Sequence, residues 1–402
     1  MTERPARSGT KRLFAAILIG LTIATVVAIV LLWPGERKSV LSAGLTAPTE
    51  RAEVTEVISD PCPPPQPGTC VTARARLETG PDEGVTVTLP VGSGPLLPDL
   101  GVGDEIRVSK AILPPGTPSG TGALPSAAPQ YNLTDFERRS PMLWLFLLFA
   151  ALVIAFGRLR GALSLVGLAA SLVVVILFIV PAILDGSAPL AVALVGSMAV
   201  MLVTISLAHG VGPKSVAAML GTAFSLILVA LLALLFTNLT HLTGLAGGDE
   251  SALVQLGAAS ISFKGLLLAG MLIGALGVLD DVTVTQASTV LALRAANPDL
   301  RFRELYRRAI EVGRDHVSAT VNTLVLAYVG TSLPVLLIFG SGGIGFFDAV
   351  NVELVAQEVV GTLVGSIGLV AAVPITTALA ATLATHVPAD ELAADAAHAH
   401  AH

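Results

Sequence analysis

The chain has 402 residues, of which 53% are hydrophobic and only 13% charged. That is too little polar surface to cover a soluble globule, and it places most of the chain in lipid. The net charge of −6 is unevenly spread and forms no basic stripe, which excludes a nucleic-acid-binding reading.

A helix crossing a hydrocarbon core of about 30 Å needs roughly 20 apolar residues. By that rule eight spans are predicted, near 13–33, 141–157, 161–183, 188–208, 215–236, 264–292, 317–339 and 357–385. The predicted fold is therefore mainly α, a polytopic membrane bundle, with a small extracytoplasmic β domain after the first span. Its parts are a cytoplasmic N-terminus (1–12), an anchor (13–33), the external domain (34–140), the bundle (141–385) and a cytoplasmic tail (386–402).

Arg4, Arg7, Lys11 and Arg12 precede the first span and could open a signal peptide. The apolar run to Trp33 exceeds an h-region of about 7–15 residues, and no small-x-small site precedes Pro34, so a retained anchor is favoured over cleavage. Orientation follows from the Lys/Arg bias of the loops. With the N-terminus inside, the inner segments hold those four cations, Arg158, Arg160, Lys214 and six arginines from Arg294 to Arg314; the short outer loops hold Lys264 alone. Both termini are predicted cytoplasmic, in a bacterial-type inner membrane. Arg138 and Arg139 depart from the bias, at the end of the long translocated segment.

Between Trp33 and Ser140 the composition turns to Pro, Gly, Thr and alternating apolar residues. Val71, Ala73, Ala75 and Leu77 alternate with polar neighbours, as do Val85, Val87 and Leu89, and Ile106 and Val108 follow a Gly103-Asp104 turn. Period two marks half-buried strands, and about five of them in a small barrel or sandwich are expected. The two cysteines, Cys62 and Cys70, flank a Pro-rich loop; in an oxidising compartment they are expected to pair, and a redox or metal site lacks further ligands. Residues 113–130, rich in Pro, Gly, Ser and Ala, read as a flexible tether.

The sixth predicted span carries Asp280 and Asp281, far from either end of its apolar run. An Asp at a helix centre costs about 2.5 to 3.5 kcal/mol on insertion scales, so it normally faces a cavity or a partner. Gly270, Gly274, Gly277, Asp281, Thr285 and Ser288 recur at steps of three and four on one face, and the glycines predict close approach of a second helix there. Asp281 is thus expected on the packed side and Asp280 about 100° round the helix. Adjacent carboxylates in low dielectric do not easily both ionise, so the pair is expected to hold a proton or a cation. The alternative is structural: aspartates at the inner interface paired with Arg294 or Arg314, with Thr283, Thr285 and Gln286 in an aqueous vestibule.

Span seven offers Ser318, Thr320, Asn322 and Thr323 as hydrogen-bond partners for the aspartates. Span eight carries Glu358 near its outer end, on a face with Gly361, Gly365 and Gly368; it reads either as an entry carboxylate or as an interfacial helix start. Residues 274–287 and 365–378 match at both glycines, at Val282 with Val373, at Thr285 with Thr376 and at the final Ala. This is a weak parallel repeat whose second copy has Ala371 and Ala372 for the aspartates. His209, at the turn into Pro213, and His241, in an outer loop with Asp249 and Glu250, have no ligand-spaced neighbours; His398, His400 and His402 read as a solvated end. Phosphate loops, nucleophile elbows and HExxH runs are absent, so neither an enzyme, a metal site nor a cofactor is expected.

The strings GALGVLDDVTVTQAS, ELYRRAIEVGRDHVSATVNTLVLAYVGTSLPVLLIF, ELVAQEVVGTLVGSIGLVAAVPITTALAA and LAHGVGPKSVAAMLGT, within residues 140–383, resemble the YibE/F-like membrane proteins. That resemblance implies a multi-pass protein with an N-terminal extracytoplasmic β segment. More distantly, residues 277–334 are similar to the fourth and fifth helices of one half of a resistance-nodulation-division or SecDF-type transporter. This likeness would give Asp280 and Asp281 a proton-coupling role, with Thr320 or Thr323 as neighbours; the external domain is far smaller here, and no matching membrane Lys is found. The expected partners are the bilayer, a small-molecule or ion substrate, and a membrane or extracytoplasmic protein. A transporter-like, proton- or ion-coupled component is the reading preferred over a non-transporting assembly protein.

Overall fold

The computed structural model describes residues 6–35, 48–62, 68–94, 97–110, 131–246, 261–343 and 345–386. The expected tether, the loop acids Asp249 and Glu250, and the terminal histidines lie outside them. The chain divides into two units, residues 39–149 and the remainder.

In the first unit, β1 (Thr49–Pro61), β2 (Thr69–Leu77), β3 (Thr86–Ser93), β4 (Glu105–Lys110) and β5 (Tyr131–Phe136) form one antiparallel sheet in the order β3-β2-β1-β4-β5. The edge strands β3 and β5 approach each other, which curls the sheet into a partly open barrel. Ala73, Ala75 and Leu77 of β2, Val87 and Leu89 of β3, and Ile106 and Val108 of β4 fill the interior, as the period-two pattern requires. Val85, whose carbonyl accepts from Leu77 N at 2.9 Å just ahead of β3, is exposed. Cys62 and Cys70 are joined in a disulfide across the β1–β2 loop.

One polar knot closes the barrel. The buried Tyr131 hydroxyl is 2.7 Å from Asp82 Oδ2 and 3.0 Å from Glu50 Oε2, and Lys110 Nζ donates to Asp82 Oδ2 at 2.7 Å. The hydrogen bonds from Lys110 and Tyr131 hold the Asp82 carboxyl below its ordinary range. Burial, reinforced by the two carboxylates, pushes the Tyr131 phenol upward. Gly80, at φ +98°, lies against Glu50: a Cβ there would fall 2.2 Å from the Glu50 carboxyl carbon.

The second unit holds α1 (Ala6–Leu31) and most of α2 (Arg139–Val174), which continues through a π turn (Val175–Ile179) into α3 (Val180–Leu184). Then come α4 (Pro189–His209), α5 (Pro213–Leu239), α6 (Phe263–Ala296), α7 (Phe302–Ser341), the short α8 (Phe346–Asn351) and α9 (Glu353–His386). Among the described residues seven helical segments are long and apolar enough to cross a membrane. Predicted spans two and three are a single segment of 46 residues, Arg139–Leu184, whose backbone leaves helical geometry at Arg158 (φ 50°, ψ −132°). A Cβ on Gly161 would lie 2.2 Å from the Val153 carbonyl oxygen, eight residues earlier, so the chain folds back on itself there. Seven candidate spans among the described residues, rather than the eight expected from hydropathy, are the result.

The helix ends obey local rules. Pro189 and Pro213 open α4 and α5, where a missing N–H costs nothing, and Gly210, at φ +71°, closes α4. Ser262 caps α6 by accepting from Gly265 N at 3.1 Å. The core lies among α4, α5, α6 and α9. Gly221 of α5 meets Thr376 of α9, and Gly368 of α9 meets Val229 of α5, at distances only a hydrogen side chain tolerates. Helix α7 begins about four turns before its predicted span, because Leu305, Ala309 and Gly313, spaced by four, bury one stripe of the arginine-rich segment. The apolar length of α7 itself has no buried residue.

Candidate functional site

Helix α6 is apolar on nearly every side, so packing chooses its inner face. Leu272, Ala275, Leu279, Val282, Thr283, Gln286 and Val290 point into the core. The glycine stripe is the opposite face. Gly270 and Gly277 have open space where a Cβ would be, Gly274 has only the Tyr328 hydroxyl at 3.5 Å, and Asp281 exposes 69% of its side chain. The expected close helix contact along Gly270, Gly274 and Gly277 is therefore corrected: within this chain all three are exposed, Gly277 alone of them lining a cleft, and Asp280 is the more enclosed carboxylate. On α9 the glycines do pack, with Gly361 near Met271, Gly365 near Leu324 and Gly368 against Val229.

A cleft of about 360 Å³ opens beside the pair. Ser164, Gly167 and Ser171 of α2, Thr204 and His209 of α4, and Gly277, Asp280, Asp281 and Val284 of α6 line it. Thr204 Oγ1 lies 3.4 Å from Asp280 Oδ2 and donates to the Val200 carbonyl at 2.8 Å. Asp280 Oδ1 is buried with no hydrogen-bond partner among the described residues. Asp281 Oδ2 is 3.8 Å from His316 Nε2 of α7. No arginine pairs with either aspartate among the described residues. Arg294 instead donates to the carbonyls of Pro298 and Leu300, tying down the α6–α7 turn.

The other predicted site residues disperse. Gln286 is in no vestibule: it is buried, and its Nε2 donates to Ala309 O and to Thr377 Oγ1, both at 2.8 Å, clamping α6 to α7 and α9. Gln286 and Thr377 occupy the same place in the two copies of the repeat, and Met271 with Gly361 is level to within one residue, so α6 and α9 run parallel and in register. Thr283 shares a 2.6 Å contact with Thr222 of α5. Thr285 is half-buried and outside the cleft lining. Thr320 and Thr323 donate to carbonyls of their own helix, His316 O and Ala319 O, rather than to the aspartates, and Asn322 is exposed. Glu358 is half-buried on α9 and does not line the cleft.

Three cleft residues, Ser164, Ser171 and Thr204, escape a reading centred on the aspartates. Their signal is slight: Ser164, Gly167 and Ser171 share one helical stripe within an apolar run, and Thr204 is a single hydroxyl in another.

Residues 145–386 match the family model described as YibE/F-like protein, and the chain belongs to that family. No curated protein and no solved structure matches the chain.

Proposed function

We propose that the bundle is a proton- or ion-coupled membrane component, transporter-like, in which Asp280 takes up and releases a proton from the cleft while Asp281 and His316 guard its mouth. The observation that carries this reading is an open, hydroxyl-lined cleft that reaches an unpaired carboxylate oxygen inside an apolar helix. A group left so in low dielectric costs stability, and its persistence argues for use.

Thr204 supplies a switch. Its one hydrogen serves either the Val200 carbonyl or the Asp280 carboxylate. With Asp280 protonated, Thr204 keeps its bond to Val200 and accepts from the carboxyl; with Asp280 charged, the hydroxyl must turn toward it. Proton exchange thereby alters the contact between α4 and α6, the kind of packing change a transport cycle needs. The distant likeness to resistance-nodulation-division transporters points the same way by analogy alone.

The rival reading is an assembly protein whose polar groups set helix register. Gln286, Thr283 and Thr222 fit that role, since all three are buried, Thr283 bonded to Thr222 and Gln286 donating to Ala309 O and Thr377 Oγ1. Asp280 does not fit it.

The test is proton movement into proteoliposomes that hold a pH-sensitive dye, driven by an imposed membrane potential. Wild-type protein is expected to acidify or alkalinise the lumen faster than the Asp280→Asn, Asp281→Asn double variant, which should insert and fold normally. Equal rates would remove the proposal and leave the assembly reading.

A further inference from the structure

The sheet unit holds a second cavity, of about 480 Å³, where β1 and β4 meet the start of α2. Its walls carry three guanidinium groups, Arg51, Arg107 and Arg139, against two carboxylates, Glu105 and Glu137. Arg51 and Arg107 are direct cross-strand partners in the β1–β4 register. Like charges so placed repel, and a sheet does not keep them without compensation.

The compensation present is incomplete. Arg107 donates from Nε and Nη2 to Thr49, at 2.6 to 3.1 Å, and its Nη1 reaches Glu137 at 3.4 Å. Glu137 is in turn enclosed, with only 5% of its side chain exposed, and also accepts from the Arg139 backbone N–H at 3.0 Å. Arg107 and Glu137 are thus a fixed floor. Arg139 lies at a long 3.8 Å from Glu137 with 74% of its side chain exposed. Arg51 has no ion-pair partner among the described residues, and Glu105 stands diagonal to it rather than opposite. Two cations therefore face the cavity with donors to spare.

The location says what anion they meet. Ser140 and Pro141 follow Arg139 directly, and then Met142, Leu143, Trp144, Leu145 and Phe146 expose an unbroken apolar surface. A tryptophan there is an interfacial anchor, so the cavity stands at headgroup depth. The same arrangement accounts for Arg139 breaking the charge bias of the loops, whereas Arg138 is paired with Asp135 at 2.7 Å.

We propose that this cavity binds a phosphate-bearing anion, the headgroup of an anionic phospholipid in the leaflet that α2 enters, held by Arg51 and Arg139 over the Arg107–Glu137 floor. It uses no residue of the Asp280 cleft and is independent of the function proposed for it.

The chain has two tryptophans, Trp33 and Trp144. In a Trp33→Phe background, Trp144 fluorescence in nanodiscs reports quenching by brominated phosphatidylglycerol against brominated phosphatidylcholine. A preference of about tenfold for the anionic lipid is expected from two interfacial arginines, falling near unity in the Arg51→Gln, Arg139→Gln variant and partly kept in Arg51→Lys, Arg139→Lys. No preference, or one that survives the Gln variant, overturns the site. Glycerol 1-phosphate added to phosphatidylcholine nanodiscs separates the sources. If it binds the wild type alone, with no lipid preference, the lipid assignment fails and the ligand is a soluble phosphate. An intact Cys62–Cys70 disulfide and unchanged tyrosine absorbance show that the variant sheet is folded.

Discussion

Replacing Gly221 with Ala probes the tightest joint of the bundle. A Cβ at this position would lie 2.1 Å from Thr376 Oγ1, 3.0 Å from Thr376 Cβ and 3.3 Å from its Cα. The nearest atom belongs to a β-branched side chain, which is stiff in a helix, and the next two move only with α9 itself. Helices α5 and α9 must therefore separate, and overpacking of this sort costs about 1 to 3 kcal/mol. Thr376→Ala alone should be nearly neutral, within about 1 kcal/mol, because Oγ1 is buried with no partner and its loss removes an unsatisfied group. Combined with Gly221→Ala it removes the 2.1 Å clash but leaves the contacts with Cβ and Cα at 3.0 and 3.3 Å, so it should restore part of the lost stability. The assay is unfolding of the full chain in mixed micelles, followed by circular dichroism along a double-mutant cycle. Additive effects, or a neutral Gly221→Ala, would refute the close α5–α9 crossing.

Gln286→Leu keeps the volume but removes both hydrogen bonds of the clamp; a loss of about 1 to 3 kcal/mol in the same unfolding assay is expected, with proton movement in proteoliposomes unchanged. In an alkaline titration of tyrosinate absorbance, Tyr131 should ionise above the ordinary phenol range. Its folded-state pKa is raised, so its stabilising contribution is present at neutral pH and is lost as pH climbs above the ordinary phenol range toward the folded value. Tyr131→Phe should abolish that late step. Asp82 has the opposite sign: its folded value is depressed, so its contribution holds at neutral pH and fades as acid passes below the ordinary carboxylate range. Hydrogen exchange in β4 and β5 should rise there in the wild type, and less so in Asp82→Asn.

The strands of the sheet unit were readable wherever apolar and polar residues alternate, as in β2, β3 and β4. Strand β1 begins with Thr49 and Glu50 and ends in Pro61, and β5 is only Tyr131–Phe136, so neither announces itself by period. In the bundle, hydropathy finds the spans but cannot say which side of each is packed. Lipid and protein interior are equally apolar, so Leu279 and Leu267 carry no label distinguishing core from periphery. That is why the Gly270–Gly277 stripe of α6 reads as an interface, while the true close contacts fall at Gly221, Gly313 and Gly368. Gly313 shows the point well: a Cβ there would meet Val373 at 2.7 Å and Gln286 at 2.8 Å, a three-helix joint with no sequence motif of its own. The Asp pair was legible as ionisable groups in lipid; the hydroxyls that complete its cleft come from α2 and α4, over 70 residues away in sequence for Thr204.

The central claim is that Asp280 exchanges a proton with the cleft. Hydrophobic carbodiimides form a stable adduct with protonated carboxyls in apolar surroundings, so the adduct site, mapped by mass spectrometry on the reconstituted full chain, reads that exchange directly. Labelling on Asp280 is expected to fade as pH rises, to vanish in Asp280→Asn, and to shift its pH dependence in Thr204→Val. Absence of labelling at Asp280 at every pH, or labelling indifferent to pH, would contradict it.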